Sequence, residues 1–152
     1  MRRRLDVVPD IRDLAPLIGR WRQVVNAPRH VEEKVEGFMT LEWLREEKVI
    51  LQRSVLENPV FPEGVVLVMA AHEDAEGDFT AHYFDSRVVS RVLHMSFQDR
   101  VWTWWRHAMG PDDFDQRFEG TLSEDGKVIE SSCYLVEDGD WIHDFDVTYT
   151  RG

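Results

Sequence analysis

Three of the chain's six tryptophans and two basic residues lie in one seven-residue segment, V-W-T-W-W-R-H, from Val101 to His107. Tryptophan rings can form the apolar wall of a ligand pocket, and an arginine guanidinium can bind a carboxylate through its planar set of donors. The same rings are equally suited to a hydrophobic core, and a third use is stacking on single-stranded nucleic acid. The segment alone therefore leaves core packing and pocket lining open as alternatives.

The alternation of side chains along a β-strand predicts which of these groups share a face. Residues two apart point to the same side of a strand, so a polar Thr103 on the outside places Trp102 and Trp104 inside. Further polar and aromatic candidates are directed inward by the same rule: Arg91, Arg106, Gln116, His143 and Tyr149. This mixture is typical of a binding cavity with a few polar groups rather than of an aliphatic core.

Interior arginines raise a question of charge compensation. An unpaired guanidinium inside a protein is very costly, so Arg91 and Arg106 need partners. One alternative is pairing with carboxylates such as Glu42 and Asp85. The other is an interior filled by water and a ligand whose anionic group the arginines bind.

The elements that would position these residues are short strands. Apolar and polar residues alternate from Trp21 onward, and turn signals such as Asp125-Gly126 and Asp138-Gly139 separate the segments. Before them, Asp10 is a suitable N-cap for one short helix at about residues 10–18. About eight to ten strands are predicted, approximately at 21–25, 37–45, 49–54, 65–72, 79–85, 89–97, 101–107, 114–122, 128–135 and 141–151.

This pattern predicts an all-β fold in one domain over residues 1–152. Many strands joined by tight hairpins favour an antiparallel up-and-down β-barrel, because closing the sheet removes its exposed edges. We expect the barrel to extend over about residues 20–151, with the short helix covering one end.

Composition limits the partners and the compartment. The formal net charge of −11 disfavours binding to nucleic acid and to anionic membrane surfaces. The single cysteine, Cys133, cannot form an internal disulfide, and the first residues lack the apolar stretch of a signal peptide. We therefore expect a cytoplasmic protein whose partner is a small molecule, and the sequence leaves a homodimer open.

Two separated segments resemble the calycin superfamily, which includes the lipocalins. Gly19-Arg20-Trp21 opens the first strand after a helix, and Arg151 closes the last strand. These residues are similar to the Gly-x-Trp motif and the late arginine of calycins. In calycins the arginine packs over the tryptophan and closes one end of the barrel. The resemblance implies the same closing role for Gly19, Trp21 and Arg151.

A narrower resemblance covers most of the chain from about residue 37 onward. Its motifs are F-D-S-R (84–87), W-W-R (104–106), Q-R-F (116–118) and W-I-H-D-F-D-V-T-Y-T-R (141–151). They look like a family of small bacterial proteins of unknown function with a calycin-like fold. Val88 stands where that family would have glycine, which puts a tight strand connection in doubt. Cys133 stands where it would have tryptophan, which would leave more room inside.

These observations predict a protein that binds a small apolar or amphipathic ligand, including an anionic one, inside the barrel. Trp102 and Trp104 would form the apolar wall, while five residues would orient the polar end of the ligand: Arg91, Arg106, Gln116, His143 and Tyr149. The interpretation requires no chemistry and no cofactor.

Two alternatives use His143. The first is a haem-binding barrel similar to the nitrobindins, with His143 as the axial ligand. The second is a small cavity enzyme, with His143 as a general base for hydrolysis or isomerisation. We expect no metal site, because the histidines lack the close spacing of zinc motifs. His82 and His94, placed inside on neighbouring strands, are the pair that could meet.

Overall fold

The structure, a computed structural model, describes residues 9–70 and 76–152. Within these ranges a short 3₁₀ helix, Ile11–Leu17, precedes ten strands that form a closed antiparallel barrel. The strands are β1 (Gly19–Asn26), β2 (Val35–Leu44), β3 (Val49–Leu56), β4 (Gly64–Ala70), β5 (Phe79–Asp85), β6 (Ser90–Gln98), β7 (Val101–Arg106), β8 (Gln116–Leu122), β9 (Val128–Glu137) and β10 (Asp140–Arg151). The predicted all-β barrel is confirmed, and the end of the predicted strand 65–72, which includes His72, lies outside the described residues.

The strand order follows the order of the chain. Each strand pairs with the next one, and β1 pairs with β10 to complete the ring, with Trp21 opposite Arg151. The described strands therefore leave no free edge, as expected of a closed barrel. Because the connections are hairpins, the loops lie in two groups, one at each end of the barrel. We call the end with the 3₁₀ helix, the start of β1 and the end of β10 the helical end. The opposite end, called the far end, contains the loops of residues 27–34, 57–63, 86–89, 107–115 and 138–139.

Alternation of side chains builds the interior. On β8, Phe118 and Leu122 are buried, and Arg117, Glu119 and Thr121 on the other face are exposed. Phe114, within the predicted strand 114–122, lies in the loop before β8 and is exposed. The largest fully buried side chains, drawn from strands around the ring, are Trp21, Trp102, Phe79 and Phe118.

The helix covers one end of the barrel. Its N-cap is Asp10, whose side chain accepts a hydrogen bond from the backbone N–H of Arg12 at 2.9 Å. The helix buries Leu14 and Leu17 against the core. It is a 3₁₀ rather than an α-helix, and Pro16, which has no N–H to donate, stands in its last turn.

A tight turn joins β5 to β6 without the glycine that the narrower resemblance leads one to expect. The backbone N–H of Val88 donates to the carbonyl of Asp85 at 2.9 Å, and Val88 takes a positive φ of 66°. The connection therefore forms, with a β-branched residue in the left-handed region that such residues rarely adopt. No helix in the described part of the chain is long and apolar enough to cross a membrane.

Candidate functional site

Three aromatic residues of β7 and β8, Trp102, Trp104 and Phe118, face the interior together. Trp104 stacks on Phe118 with a centroid distance of 5.5 Å and an interplanar angle of 3°, and Trp102 meets the same ring edge-on at 5.0 Å. Register explains these contacts, because Trp104 lies directly opposite Phe118 and Trp102 lies opposite Gly120. The predicted inward placement of Trp102 and Trp104 is thus confirmed.

The indole N–H of Trp102 is buried without a hydrogen-bond partner. The residue is 2% exposed, and its Nε1 makes no hydrogen bond to any group in residues 9–70 and 76–152. Tyr149, on β10, has its ring centroid 6.4 Å from that of Trp102, and burial raises the pKa of its hydroxyl well above the usual range. An unsatisfied buried donor costs about 1–3 kcal/mol, so an isolated indole N–H at this position requires an explanation.

Arg106 is buried and fully engaged. It is 3% exposed, and its Nη1 donates to Asp113 at 2.8 Å while its Nη2 bonds to the second oxygen of the same carboxylate. Its Nε donates to the side-chain oxygen of Gln116 at 2.8 Å. The guanidinium holds the pKa of Asp113 well below its usual range. The partner of Arg106 is therefore a carboxylate of the β7–β8 loop.

Glu42 and Asp85, suggested from the sequence as partners of the interior arginines, do not pair with them. Asp85 binds Arg87, with Nη2 to Oδ2 at 2.6 Å, and accepts a hydrogen bond from the Tyr83 hydroxyl at 2.7 Å. Glu42 is exposed on β2. Of the two alternatives, pairing with a carboxylate therefore holds for Arg106, but the carboxylate is Asp113 of the β7–β8 loop rather than Glu42 or Asp85.

Arg91 lies at the far end of the barrel and differs from Arg106 in its contacts. In the described structure its guanidinium forms no ion pair and donates only to the carbonyl of Ser90, at 3.3 Å. It lines a cleft of about 500 Å³ between the start of β6 and the β7–β8 loop. The cleft is also lined by the ion pair of Arg106 and Asp113, by Asp112, and by three apolar side chains, those of Val92, Met109 and Pro111. Arg91, which has no ion pair among the described residues, thus lies beside apolar surface.

His143 lies on the outer face, which corrects its predicted interior position. Its Nε2 is 2.6 Å from Oδ1 of Asp146, its side chain is 47% exposed, and its ring meets that of Tyr134 edge-on at 5.7 Å. The cause is a β-bulge between His143 and Phe145, which shifts the alternation by one residue. Asp144 is the extra residue, and it is buried against His30.

The helical end is closed as the resemblance implied. The guanidinium carbon of Arg151 is 4.1 Å from the ring centroid of Trp21, and Arg151 donates to the carbonyls of Pro16 and Ile18 at 2.6 Å each. A Cβ on Gly19 would lie 2.6 Å from Nη1 of Arg151. Gly19, Trp21 and Arg151 thus form one closing unit.

Cys133 lies on the interior face of β9, opposite Phe118 and Phe145. It is a buried free thiol, and burial raises its pKa well above the usual value. A thiol in this state is a poor nucleophile, so Cys133 is a core residue rather than a reactive one.

A cluster of one glutamate and two histidines lies on the outer face and was not predicted from the sequence: Glu76, His94 and His107. Nε2 of His94 is 3.0 Å from Oε2 of Glu76, and Nε2 of His107 is 2.9 Å from the same oxygen. His94 faces outward on β6, directly opposite Trp105, and His82 is also on the outer side of β5. The predicted interior placement of His82 and His94 was therefore wrong. Hydrogen bonding to His107 is the main cause that lowers the pKa of Glu76.

No protein-family model matches the chain, and no curated protein matches its sequence. The class of protein is accordingly defined by the fold, a closed ten-stranded antiparallel barrel compatible with a calycin-like architecture.

Proposed function

We propose that this protein is a calycin-like barrel that binds a small amphipathic molecule with an anionic group. The observation that carries the proposal is the Trp102 indole N–H, which is buried on the interior face without an acceptor. A carbonyl, carboxylate or hydroxyl oxygen of a ligand would satisfy this donor, with the Tyr149 ring close by. Binding sites commonly combine such isolated polar groups with apolar walls.

The anionic character of the ligand is supported by the contrast between the two arginines. Arg106 is already neutralised by Asp113, so it has little capacity for a further anion. Arg91 has no carboxylate partner among the described residues and stands at the cleft of the far end. Arg91 is therefore the residue that binds the anionic group, while Arg106 and Gln116 support the site by holding the β7–β8 loop.

The apolar part of the ligand would contact two surfaces. Val92, Met109 and Pro111 supply the wall of the cleft, and the stacked pair of Trp104 and Phe118 supplies the interior wall. Burial of apolar surface there would provide most of the binding free energy.

The two alternatives built on His143 lose their central residue. Both a haem-binding barrel and a cavity enzyme with a histidine base need His143 inside, and its imidazole lies on the outer face beside Asp146. The ligand-binding interpretation does not depend on His143, so it is the one we retain.

The proposal is tested with 8-anilinonaphthalene-1-sulfonate, an aromatic anion whose fluorescence rises in apolar sites, and with saturated fatty acids as competitors. We expect saturable binding of the probe and its displacement by a fatty acid. Trp102→Phe keeps an apolar ring but removes the donor, and should weaken binding about five- to tenfold, since a hydrogen bond contributes about 1 kcal/mol. Arg91→Gln should weaken it by a similar factor.

Two control variants make the result specific. Trp141→Phe changes an exposed ring on β10, and Arg53→Gln removes an exposed charge on β3, so neither should alter binding. Loss of binding in these controls would indicate a nonspecific surface effect. Absence of saturable binding by the natural chain, or unchanged affinity in both Trp102→Phe and Arg91→Gln, would contradict the proposal.

A further inference from the structure

We propose that Glu76, His94 and His107 form a binding site for a divalent transition-metal ion, Zn²⁺ being the best match, on the outer face of the barrel. Each residue offers one ligand atom, and the three atoms lie within 4.8 Å of one another. The site is separate from the interior, and this proposal does not rest on the proposed ligand-binding function.

The barrel brings the three residues together from separate elements. His94 is on β6 opposite Trp105, and His107 follows Trp105 by two positions, so both histidines face outward as diagonal neighbours. Their ring centroids are 5.9 Å apart. Glu76 comes from the segment that precedes β5 and places its carboxylate between the two rings.

The donor set matches the proposed ion. Two imidazole nitrogens and one carboxylate oxygen suit zinc, whose bonds to such atoms are about 2.0–2.2 Å long, so that tetrahedral ligands are about 3.4 Å apart. The imidazole Nε2 atoms lie 2.9 and 3.0 Å from Oε2 of Glu76. The side chains of His94, Glu76 and His107 are 29%, 48% and 58% exposed, so they can adjust without disturbing the core.

Without a metal, Nε2 of His107 is hydrogen-bonded to the Glu76 carboxylate, and Nε2 of His94 lies 3.0 Å from the same carboxylate. When a metal binds, any proton on an Nε2 passes to Nδ1 of the same ring or to solvent, and the lone pair of that nitrogen then binds the ion. Oδ2 of Asp115 is 3.9 Å from Nδ1 of His107, too far for a hydrogen bond but near enough to favour a bound cation electrostatically. Carboxylates beside the second ring nitrogen commonly orient metal-binding histidines.

Charge and exposure also favour a cation at this position. Glu76 and Asp115 contribute two carboxylates next to the imidazoles, and the chain as a whole has a formal net charge of −11. Three protein ligands leave a fourth tetrahedral position for water, which is the pattern of zinc sites with an exchangeable ligand. His107 also lines the cleft that contains Arg91, so this position lies next to the cleft.

The test uses the full chain without a histidine tag and the metal ions alone. Titration calorimetry with zinc chloride should show one saturable equivalent, and Co²⁺ should give the visible absorption of a four-coordinate site. Each of His94→Gln, His107→Gln and Glu76→Gln should weaken binding at least about tenfold, and Asp115→Asn should weaken it by a smaller factor. Zinc should also raise the melting temperature of the natural chain but not that of His94→Gln.

His143→Gln is the matched control, because His143 and Asp146 form an exposed histidine–carboxylate pair with no third metal ligand among the residues that the structure describes. This variant should retain the full stoichiometry and affinity. Absence of saturable binding at millimolar zinc, or equal affinity in the natural chain and all three ligand variants, would overturn the metal site. Neither outcome would affect probe binding in Trp102→Phe and Arg91→Gln, so the two proposals fail independently.

Discussion

The guanidinium of Arg151 lies over the indole ring of Trp21, with its central carbon 4.1 Å from the ring centroid. The same guanidinium donates to the backbone carbonyls of Pro16, Ile18 and Gly126, while the indole N–H donates to the carbonyl of Leu17 at 2.9 Å. One side chain from the last strand thus joins the helix, the first strand and the β8–β9 turn.

Arg151→Met should destabilise the protein by about 3 kcal/mol. The variant loses three hydrogen bonds and one cation–π contact, contributions of about 1 kcal/mol each that are partly offset by the apolar contact of methionine. Arg20→Met is the matched control, because Arg20 lies over Phe38 at the same 4.1 Å distance on the exposed surface. That control should cost less than about 1 kcal/mol. Urea unfolding measures both, and equal losses would show that the carbonyl contacts of Arg151 contribute nothing.

Gly19→Ala should lower the free energy of unfolding by at least about 2 kcal/mol. Gly19 has a φ of 134°, and an added Cβ would lie 2.6 Å from Nη1 of Arg151, so the variant combines backbone strain with a steric conflict. Gly110→Ala, at a position with open space and no positive φ, should change stability by less than about 0.5 kcal/mol. Melting temperatures compare the two variants, and a neutral Gly19→Ala would mean that Arg151 moves away at no cost.

Val88→Gly should stabilise the protein. Val88 has a φ of 66°, and a β-branched residue pays about 1–2 kcal/mol in this region, more than the extra chain entropy that glycine loses on folding. Val88 is also 94% exposed, so its side chain contributes little burial. We expect a gain of about 0.5–1 kcal/mol in urea unfolding. Val60→Gly, at an exposed valine without a positive φ, should give no gain.

Asp85 should make stability depend on pH in the acidic range. Burial alone would raise its pKa, but hydrogen bonds from Arg87 and Tyr83 lower it from 3.8 to about 2. The unfolded chain therefore binds more protons between these values, and this contribution to stability, complete above about pH 4, disappears as pH falls through about 2. The free energy of unfolding of Asp85→Asn should thus fall less steeply with acid than that of the natural chain.

The control for Asp85 is Asp140→Asn, which changes an exposed aspartate that makes no side-chain hydrogen bond in the described part of the chain. It should leave the pH dependence unchanged. Parallel curves for the natural chain and Asp85→Asn below about pH 4 would contradict the assigned role.

Asp113→Asn should destabilise the protein by about 3 kcal/mol, because it leaves the buried Arg106 guanidinium without a counter-charge. Asp113 also accepts a hydrogen bond from the backbone N–H of Met109 at 2.9 Å, so the β7–β8 loop should become less ordered. Hydrogen exchange of the loop and urea unfolding measure the two effects. Asp112→Asn, at the exposed neighbouring position, should affect neither, and similar losses in both variants would reject a specific ion pair.

Periodicity predicted the barrel well because its strands are regular and each pairs with its neighbour in the chain. The faces of β7 and β8 followed from alternation, and the sequence motif that includes Trp21 and Arg151 correctly located the closed end. His143 was misplaced because one bulged residue reverses the alternation, and no local pattern in the sequence marks that bulge.

The other differences between the sequence prediction and the structure have a common cause, because they depend on side chains from the segments that connect the strands. Asp113 reaches Arg106 from a loop, so strand alternation gives no information about it. The cluster of Glu76, His94 and His107 could have been predicted in part, because the β6–β7 hairpin places His94 and His107 on one face. Glu76 completes that cluster from outside the strands, and its position depends on how the chain enters β5.

The pairing of β1 with β10 has a consequence for the order of folding. Every other strand pair in the described barrel joins neighbours in the chain, so those pairs can form early, as successive hairpins. The β1–β10 ladder closes a loop of nearly the whole chain and bears the largest entropic cost, so it should form last. Interactions absent from the transition state act on the unfolding rate, and the contact between Trp21 and Arg151 would therefore govern how long the native barrel persists rather than how fast it is reached.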